Sequence, residues 1–373
     1  MNIAWIYPHQ EKCGIAVYSR SYVDALKKAA AVETIDPTGC GRDLDAVVAK
    51  VNKCDLVHIQ YEPSFYSQGP KDLFARLCRK VTVPVIVSLH EVYRSFPDAY
   101  PREAITGTGP IAILRRRQYD RQHPLQTAYR HNAARSFFAH AVLVHQEFQR
   151  AIVIEQGCNA DAVSVIPQPI PMVPGALPPP PWNKKRPLHI AALGFINPHF
   201  DFDLLFTALE RLTMAWRFTW IGGIRRDEDL PLLESIHTRI REKRWTDRFA
   251  VTGWLPDLKF RARLSQTDLI CAFFSARSSS SSLAAAFGSL RPVIATPIPL
   301  TEELAASKVL HLTPANPDRL AKGIADLATR PDLRAPLIAK VKAYCRDNNF
   351  STLSNRLLDL YRGILRASGK GTP

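Results

Sequence analysis

The 373-residue sequence predicts an α/β fold with two doubly wound domains, each a parallel sheet covered by helices. Short apolar runs alternate with longer helical patterns along the whole chain. A proline-rich stretch, residues 167–187, divides this alternation into two similar halves, and nine of its residues are proline. Four of these prolines are consecutive, at 178–181, so the stretch favours extended polyproline II and marks a domain boundary.

Each half supplies its own set of elements. In the first half we predict strands over residues 3–7, 55–60, 83–89, 141–144 and 163–166, with helices over 16–31, 73–80 and 148–156. In the second half we predict strands over residues 188–193, 218–221, 249–252, 269–273, 293–296 and 309–312, with helices over 202–212, 230–243, 258–265, 317–328, 333–348 and 352–367. The predicted domains are residues 1–170 and 188–349, joined by a linker over 171–187.

Composition indicates a globular protein with enough chain for two cores, because 46% of residues are apolar and 22% are charged. No apolar run reaches the ~18–20 residues that a membrane-spanning helix needs. The first residues resemble a strand and lack the pattern of a secretory signal. The seven cysteines are scattered, without a Cys-x-x-Cys pair, so we expect reduced thiols and a cytoplasmic location.

The formal net charge is +15, and one region concentrates arginine. Eight arginines lie between Arg94 and Arg135, and they include Arg115, Arg116, Arg117 and Arg121. The apolar run 111–114 immediately precedes three of them, which suits contact with an anionic membrane surface or an anionic acceptor. A solvated surface explains the pattern equally well. We expect no nucleic-acid partner, because aromatic interleaving and nucleic-acid motifs are absent from this region.

The segment 276–293 carries the strongest functional signal. Five serines, including Ser280, Ser281 and Ser282, run into a helix of small residues that begins near Leu283. A serine-rich loop that opens a helix offers backbone N–H groups, hydroxyl donors and the positive end of the helix dipole. We therefore predict a phosphate site there, for a nucleotide ligand, although one serine could serve simply as a helix cap.

Polar residues and glycines recur at the predicted strand ends. In the first half these are Gly14, Gln60-Tyr61-Glu62, His90-Glu91 and His145, and in the second half they are Gly194, Gly222-Gly223 and Gly253. Ligands of open parallel sheets bind at the carboxyl ends of the strands, so we expect a ligand cleft between the two domains. Each residue also has an ordinary structural explanation, such as a tight turn for Gly14 or a buried, hydrogen-bonded ring for His90.

Several segments, in order and at similar spacing, resemble the GT-B glycosyltransferases of family four. The resemblance covers nearly the whole chain and rests on residues 12–18, 55–62, 84–91, 163–167, 194–198, 251–255 and 291–296. It implies two Rossmann-like domains, with a nucleotide-diphosphate sugar held by the C-terminal domain and the acceptor by the N-terminal domain. It also implies sugar transfer with retained anomeric configuration, no metal or other cofactor, and a final helix, residues 350–373, that crosses back to the first domain.

By position, the resemblance places His90 beside the transferred sugar, and we assign the catalytic residues as His90, Glu91 and Glu62. The donor and phosphate group would be bound by Gly14, Gly194, Arg225, Arg277, Ser280, Ser281, Ser282 and Leu283. An acceptor or membrane surface would be formed by Arg94, Arg115, Arg116, Arg117 and Arg121. The resemblance implies a glycan or a lipid-linked sugar as acceptor in polysaccharide biosynthesis, and we expect a cytoplasmic protein, peripheral at the inner face of the cell membrane.

The chain departs from the family at four positions. Phe195 and Phe200 stand where the family usually has Arg and Lys, and Arg277 and Ala285 stand where it has two glutamates. Three hypotheses follow: a retaining glycosyltransferase with relocated cations, a catalytically silent protein of the same fold that binds nucleotide, glycan or a partner enzyme, and an anion-binding surface protein. The acidic runs at 201–203 and 227–229 are interpreted as a helix start and a solvated loop, not as metal sites.

Overall fold

The computed structural model describes residues 1–10, 13–68, 71–94, 107–122, 138–225 and 227–369. The chain divides into two compact units. Unit 1 comprises Met1–Pro167 with Phe350–Pro373, and unit 2 comprises Gln168–Asn349. Unit 2 is therefore an insertion within the sequence of unit 1.

Unit 1 contains a parallel sheet of six strands, ordered β2-β1-β3-β6-β7-β8. These strands are β1 (Asn2–Ile6), β2 (Ala31–Ile35), β3 (Leu56–Tyr61), β6 (Val85–Leu89), β7 (Ala141–Val144) and β8 (Val163–Val165), and a two-residue antiparallel pair is formed by β4 (Ser67–Gln68) and β5 (Lys71–Asp72). The helices are Gly14–Leu26, Gly39–Arg42, Leu44–Val51, Pro63–Tyr66, Leu73–Lys80, Pro110–Gln122, Glu147–Glu155 and Phe350–Ala367.

Helices cover both faces of the unit 1 sheet. Side chains alternate between these faces along each strand, so each strand contributes to two apolar clusters. One face packs on the helices Gly14–Leu26 and Phe350–Ala367, through a cluster that includes Trp5 and Tyr361. The other face packs on Leu73–Lys80 and its neighbours. The final helix is thus part of the core of unit 1.

One predicted helix of unit 1 is too long. The helix expected over residues 16–31 ends at Leu26, and Ala31–Ile35 forms the edge strand β2 beside β1. This strand was missed because most of its residues are exposed or half-buried, which removes the apolar run expected of a parallel strand. The helices Gly39–Arg42, Leu44–Val51 and Pro299–Ala306 were also not predicted.

Unit 2 contains a second parallel sheet of six strands, ordered β11-β10-β9-β12-β13-β14. The strands are β9 (Leu188–Leu193), β10 (Trp216–Ile221), β11 (Phe249–Val251), β12 (Leu269–Ala272), β13 (Val293–Ala295) and β14 (His311–Leu312). The helices are Phe202–Glu210, Leu230–Glu242, Asp257–Ser265, Ser281–Gly288, Pro299–Ala306, Pro317–Thr329 and Pro331–Asp347. This is the Rossmann strand order. From β9 the strands are added toward one edge as far as β11, and from β12 they are added toward the other edge. Such sheets bind ligands at this switch point, between β9 and β12.

The proline-rich segment is packed against unit 2 and is not a detached linker. Arg291 donates from its guanidinium to the carbonyl oxygen of Leu177, and Arg334 donates in the same way to Pro179. The N–H of Val173 donates to the carbonyl oxygen of Gly288 at 3.2 Å. Because proline has no N–H but keeps its carbonyl, the segment can be held by donors from a neighbouring surface. Residues 168–187 accordingly group with unit 2, where we had predicted a domain end at 170 and a linker over 171–187.

Candidate functional site

Glycine turns close the carboxyl edge of the unit 2 sheet. Gly194 follows β9, Gly222 and Gly223 follow β10, and Gly253 follows β11. A Cβ at Gly222 would lie 2.0 Å from the carbonyl oxygen of Gly194, and its φ is +140°. A Cβ at Gly223 would lie 3.0 Å from the Cα of Gly253. Side chains are therefore excluded here by backbone contact, so these turns require glycine.

The serine loop meets the first of these turns at the reversal point of the sheet. It follows β12 and leads into the helix Ser281–Gly288, while Gly194 follows the adjacent strand β9. A Cβ at Gly194 would lie only 2.5 Å from the Oγ of Ser282. The N-terminus of this helix therefore lies against the glycine turn.

The serines have separate roles. Ser280 is the N-cap, and its hydroxyl accepts from the N–H of Leu283 at 3.2 Å. Ser281 is exposed, and its hydroxyl accepts from the side-chain amide of Gln168 at 3.4 Å. The N–H of Leu283, which we predicted as a phosphate donor, is thus engaged by the cap. The helix dipole and the first amides of the helix remain as the features that favour an anion.

Two arginines lie over aromatic rings next to the glycine turn. The guanidinium carbon of Arg225 is 5.9 Å from the ring centre of Phe195, which directly follows Gly194. That of Arg277 is 5.5 Å from the ring centre of Phe274. Stacking on a ring holds a guanidinium without using its N–H donors, so both groups keep donors for a ligand.

The four departures from the resembled family have different surroundings. Phe200 is 4% exposed and packs edge-on against Trp220 at 4.8 Å, so a core contact occupies this position. Phe195, Arg277 and Ala285 are half-buried. The aromatic cluster around Phe200 thus replaces a cation by core packing, while arginines lie on the neighbouring loops.

The hydrogen bonds that hold these turns have no signal in the sequence. The indole N–H of Trp220, in β10, donates to the carbonyl oxygen of Gly194 at 2.9 Å. The N–H of Gly222 donates to the hydroxyl of Thr252 at 3.0 Å, and that hydroxyl donates to the carbonyl oxygen of Gly253 at 2.8 Å. The three turns therefore form one connected structure.

Acidic residues near the site have structural partners. Asp201 caps the helix Phe202–Glu210 by accepting from the N–H of Leu204 at 2.8 Å, and Asp203 pairs with Arg239. The acids 227–229 form a short 3-10 helix. Within the described parts of the chain, no three His, Cys, Asp or Glu side chains are grouped so that they could hold a metal ion. All seven cysteines are free thiols.

In unit 1, His90 lies inside a buried polar group at the end of β6. Its Nε2 donates to the side-chain oxygen of Gln60 at 2.9 Å, and its Nδ1 lies 3.4 Å from Nε2 of His145. The Nδ1 of His145 donates to the carbonyl oxygen of Ile166 at 3.0 Å. Burial lowers the pKa of both histidines, so both rings are neutral at pH 7. His90 is 5% exposed, and its catalytic role stays a prediction.

The other predicted residues of unit 1 lie at strand ends. Glu62 follows β3, is half-buried, and accepts from the N–H of Ser64 at 2.9 Å. Glu91 follows His90 and accepts from the hydroxyl of Tyr93 at 2.5 Å. Gly14 opens the helix Gly14–Leu26 and is exposed. These positions agree with one edge of the sheet, while their roles remain predictions.

The arginines predicted for an acceptor or membrane surface lie on two segments of unit 1. Arg94 forms a two-point ion pair with Glu155, at 2.8 and 3.0 Å, so its charge is already matched. Arg115, Arg117 and Arg121 are exposed on the helix Pro110–Gln122, and Arg116 donates to the carbonyl oxygen of Gly107. Ile111 and Leu114 on this helix are 70% and 67% exposed. The remaining arginines of this group, Arg102, Arg130 and Arg135, lie outside the described residues.

No helix in the described ranges is long and apolar enough to cross a membrane. No model of a known protein family matches the sequence, and no curated protein matches it by sequence.

Solved structures, by contrast, match nearly the whole chain. Sucrose-phosphate synthase from Thermosynechococcus elongatus has a TM-score of 0.75 at 14% identity, covering 98% of this chain and 99% of its own. HepE from Anabaena, in complex with UDP and glucose, has a TM-score of 0.71 at 14% identity, covering 96% and 99%. A glycosyltransferase from Rickettsia africae has a TM-score of 0.67 at 15% identity, covering 98% of each chain. The chain therefore has the fold of the GT-B glycosyltransferases.

Proposed function

We propose that the chain transfers a sugar from a nucleotide-diphosphate sugar to an acceptor. The observation that carries the proposal is the contact between Ser282 and Gly194. This contact brings a helix N-terminus to the glycine turn at the point between β9 and β12 where the strand order of the unit 2 sheet switches. HepE of the same fold is solved in complexes with UDP and with UDP-glucose, which supports a nucleotide-sugar donor for this chain too.

In this proposal the diphosphate binds between Gly194 and the helix Ser281–Gly288. Ser281 and Ser282 contribute hydroxyl and backbone donors, and Arg225 and Arg277 move from their aromatic rings to the phosphate oxygens. Two guanidinium groups would supply the charge that a leaving diphosphate requires in the transition state. Charge compensation by arginine is consistent with transfer that needs no metal ion.

Unit 1 would bind the acceptor. We propose a glycan or lipid-linked sugar as the acceptor, retention of the anomeric configuration, and catalytic contributions from His90, Glu91 and Glu62. The exposed arginines of the helix Pro110–Gln122 would face the acceptor, and Gly14, at the sheet edge, would contribute to the donor site. We further propose that the protein acts in polysaccharide biosynthesis as a peripheral protein at the cytoplasmic face of the cell membrane.

A second candidate function is binding without turnover. It is favoured by Arg277 and Ala285, which occupy the positions where the resembled family has two glutamates, and by the buried Phe200. Such a protein would bind a nucleotide, a glycan or a partner enzyme and release no sugar.

Calorimetric titration of the full chain with UDP, GDP and their glucose or mannose derivatives tests the proposal. We expect one nucleotide to bind, and the variant R225Q/R277Q to bind it at least about tenfold more weakly because two charge-assisted contacts are lost. R217Q is the matched control, since Arg217 is exposed on β10 away from the glycine turns. Released sugar or a glycosylated acceptor selects the transferase, whereas binding without either selects the second function. Absence of nucleotide binding contradicts both.

A further inference from the structure

A groove of about 700 Å³ opens on unit 2, away from the candidate nucleotide site. Its walls are the proline-rich segment 173–180 and the helix Asp257–Ser265, and Ser289 and Arg291 line its floor. Ser265 precedes β12 and Arg291 precedes β13, so the groove lies at the amino edge of the sheet. Gly194 and the serine loop lie at the opposite, carboxyl edge.

Apolar side chains dominate the walls and the rim of the groove. Proline rings, Val173 and Ala262 line it, and Leu177 on its rim is 75% exposed. Leu258, one helical turn before Ala262, is 83% exposed. Among the residues of this helix, only Leu264 is buried, so its outward face is presented to solvent.

Positive charge surrounds this apolar surface. The helix carries Lys259, Arg261 and Arg263 against one acid, Asp257, and the proline-rich segment ends in Lys184 and Lys185, followed by Arg186, which pairs with Asp268. Arg261 pairs with Asp257 at 2.8 Å, which leaves the charges of Lys259 and Arg263 unmatched on this helix.

Two buried arginines, Arg291 and Arg334, lie beneath this apolar surface. Arg291 is 4% exposed, and its guanidinium donates to carbonyl oxygens, including that of Thr267 at 3.0 Å. Arg334 is 5% exposed and donates to the carbonyl oxygen of Pro179. The nearest carboxylate, Asp268, is bonded by Arg186 at 2.6 and 2.7 Å. Arg186 is bonded to this carboxylate, whereas Arg291 and Arg334 bond carbonyl oxygens and interact with Asp268 only electrostatically.

We propose that this face, formed by the groove, Leu177 and the outward side of the helix Asp257–Ser265, docks on an anionic lipid bilayer. Leucines on the rim enter the interface, and basic side chains beside them contact lipid phosphates. A long basic side chain can lay its apolar stem along the interface and keep its charge among the headgroups. The charge and the exposed leucines together favour this occupant over a neutral surface, and the inference is independent of the proposed enzymatic activity.

Vesicle flotation of the full chain tests the proposal. Vesicles of phosphatidylcholine with about one third phosphatidylglycerol should capture the protein, pure phosphatidylcholine should not, and capture should fall as salt rises toward ~0.5 M. The variants L177S/L258S and K259Q/R263Q should each bind at least about tenfold more weakly, because the first loses apolar burial and the second loses charge. All four side chains lie on the surface, so the melting temperatures of both variants should match that of the wild type.

The matched control is I111S/L114S on the helix Pro110–Gln122, the other exposed surface where apolar and basic residues adjoin. We expect this variant to bind vesicles like the wild type. The proposal is overturned if the wild type fails to bind anionic vesicles, which would leave a protein partner as the occupant. It is equally overturned if the control abolishes binding while L177S/L258S does not, or if ~10 mM inorganic phosphate alone displaces the protein from vesicles at constant ionic strength.

Discussion

The indole of Trp220 reaches out of strand β10 and donates its N–H to the carbonyl oxygen of Gly194, at 2.9 Å. The donor is 1% exposed, and the acceptor belongs to the turn that contacts Ser282. A side chain of the core thereby fixes the backbone of the candidate phosphate site. The stability of the fold and the geometry of the site are coupled through this one hydrogen bond.

Replacing Trp220 by Phe should keep most of the ring packing and remove the donor. We expect the free energy of unfolding to fall by about 1–3 kcal/mol, since the carbonyl of Gly194 loses its buried partner. We also expect nucleotide affinity to fall further than folding alone explains. Urea unfolding and calorimetric titration measure the two effects. Trp216→Phe, at the other end of β10, is the control and should leave affinity unchanged.

Replacing Gly222 by Ala should disrupt the site more severely. The new Cβ would lie 2.0 Å from the carbonyl oxygen of Gly194, and a φ of +140° is unfavourable for any side chain. We expect unit 2 to lose several kcal/mol of stability or fail to fold, measured by thermal unfolding. Gly253→Ala is the control, because its φ of +69° costs only ~1–2 kcal/mol and its Cβ meets nothing within 4 Å. Equal effects of both substitutions would contradict the close packing of these turns.

Unit 1 should become less stable as the pH falls. Burial lowers the pKa of His58 to about 3, and the ring contacts the hydroxyls of Tyr361 and Ser88. The unfolded chain takes up a proton near pH 6.5 while the folded chain does not, so stability present above pH 6.5 is lost as the pH decreases toward 3. The slope is about 1.4 kcal/mol per pH unit for each such histidine below pH 6.

Hydrogen exchange of the β3 amides between pH 7 and pH 5, corrected for intrinsic exchange, measures this slope for unit 1. The variant H58Q should show a shallower slope than the wild type, because one neutral buried imidazole is gone. H237Q, altered on the exposed surface of the helix Leu230–Glu242, should retain the wild-type slope. A wild-type slope in H58Q would show that the burial of His58 does not control acid stability.

Asp268 should contribute more to stability than a surface acid does. Its side chain is 5% exposed, bonds Arg186 and also accepts from the N–H of His189 at 2.8 Å. In D268N, Arg186 and the N–H of His189 lose their charged partner, and we expect a cost of about 1.5–3 kcal/mol. The control D318N breaks the exposed pair between Arg211 and Asp318 and should cost at most ~1 kcal/mol. Urea unfolding compares the two.

The sequence predicts well what depends on continuous apolar runs. Strands such as Leu56–Tyr61 and Leu188–Leu193 are buried on both faces, so their composition identifies them. Edge strand β2 does not follow this rule, because water covers much of it. Helices with apolar periodicity were predicted to within a few residues, whereas the short helix Gly39–Arg42 has too few residues to show a period.

In the candidate site, too, the sequence predicts the features that have a local pattern and not those that depend on distant residues. Turn glycines and the serine loop are local signals, and the sequence locates both at strand ends. The hydrogen bond from Trp220 to Gly194 joins residues 26 positions apart, and the hydrogen bond from Arg334 to Pro179 joins residues 155 positions apart. Such contacts depend on the folded arrangement and leave no local pattern. For the same reason, the polyproline run predicts extended chain but does not indicate the surface that it packs against.

The insertion of unit 2 within unit 1 also sets an order of events during synthesis. The ribosome completes Gln168–Asn349 before it makes the helix Phe350–Ala367, whose Leu353 and Tyr361 cover the face of Trp5. Unit 2 can therefore reach its native state before unit 1. Until the final helix is made, one apolar face of the unit 1 sheet stays uncovered. A truncation that removes the last twenty residues would harm the amino-terminal sheet, although more than three hundred residues separate the two in the sequence.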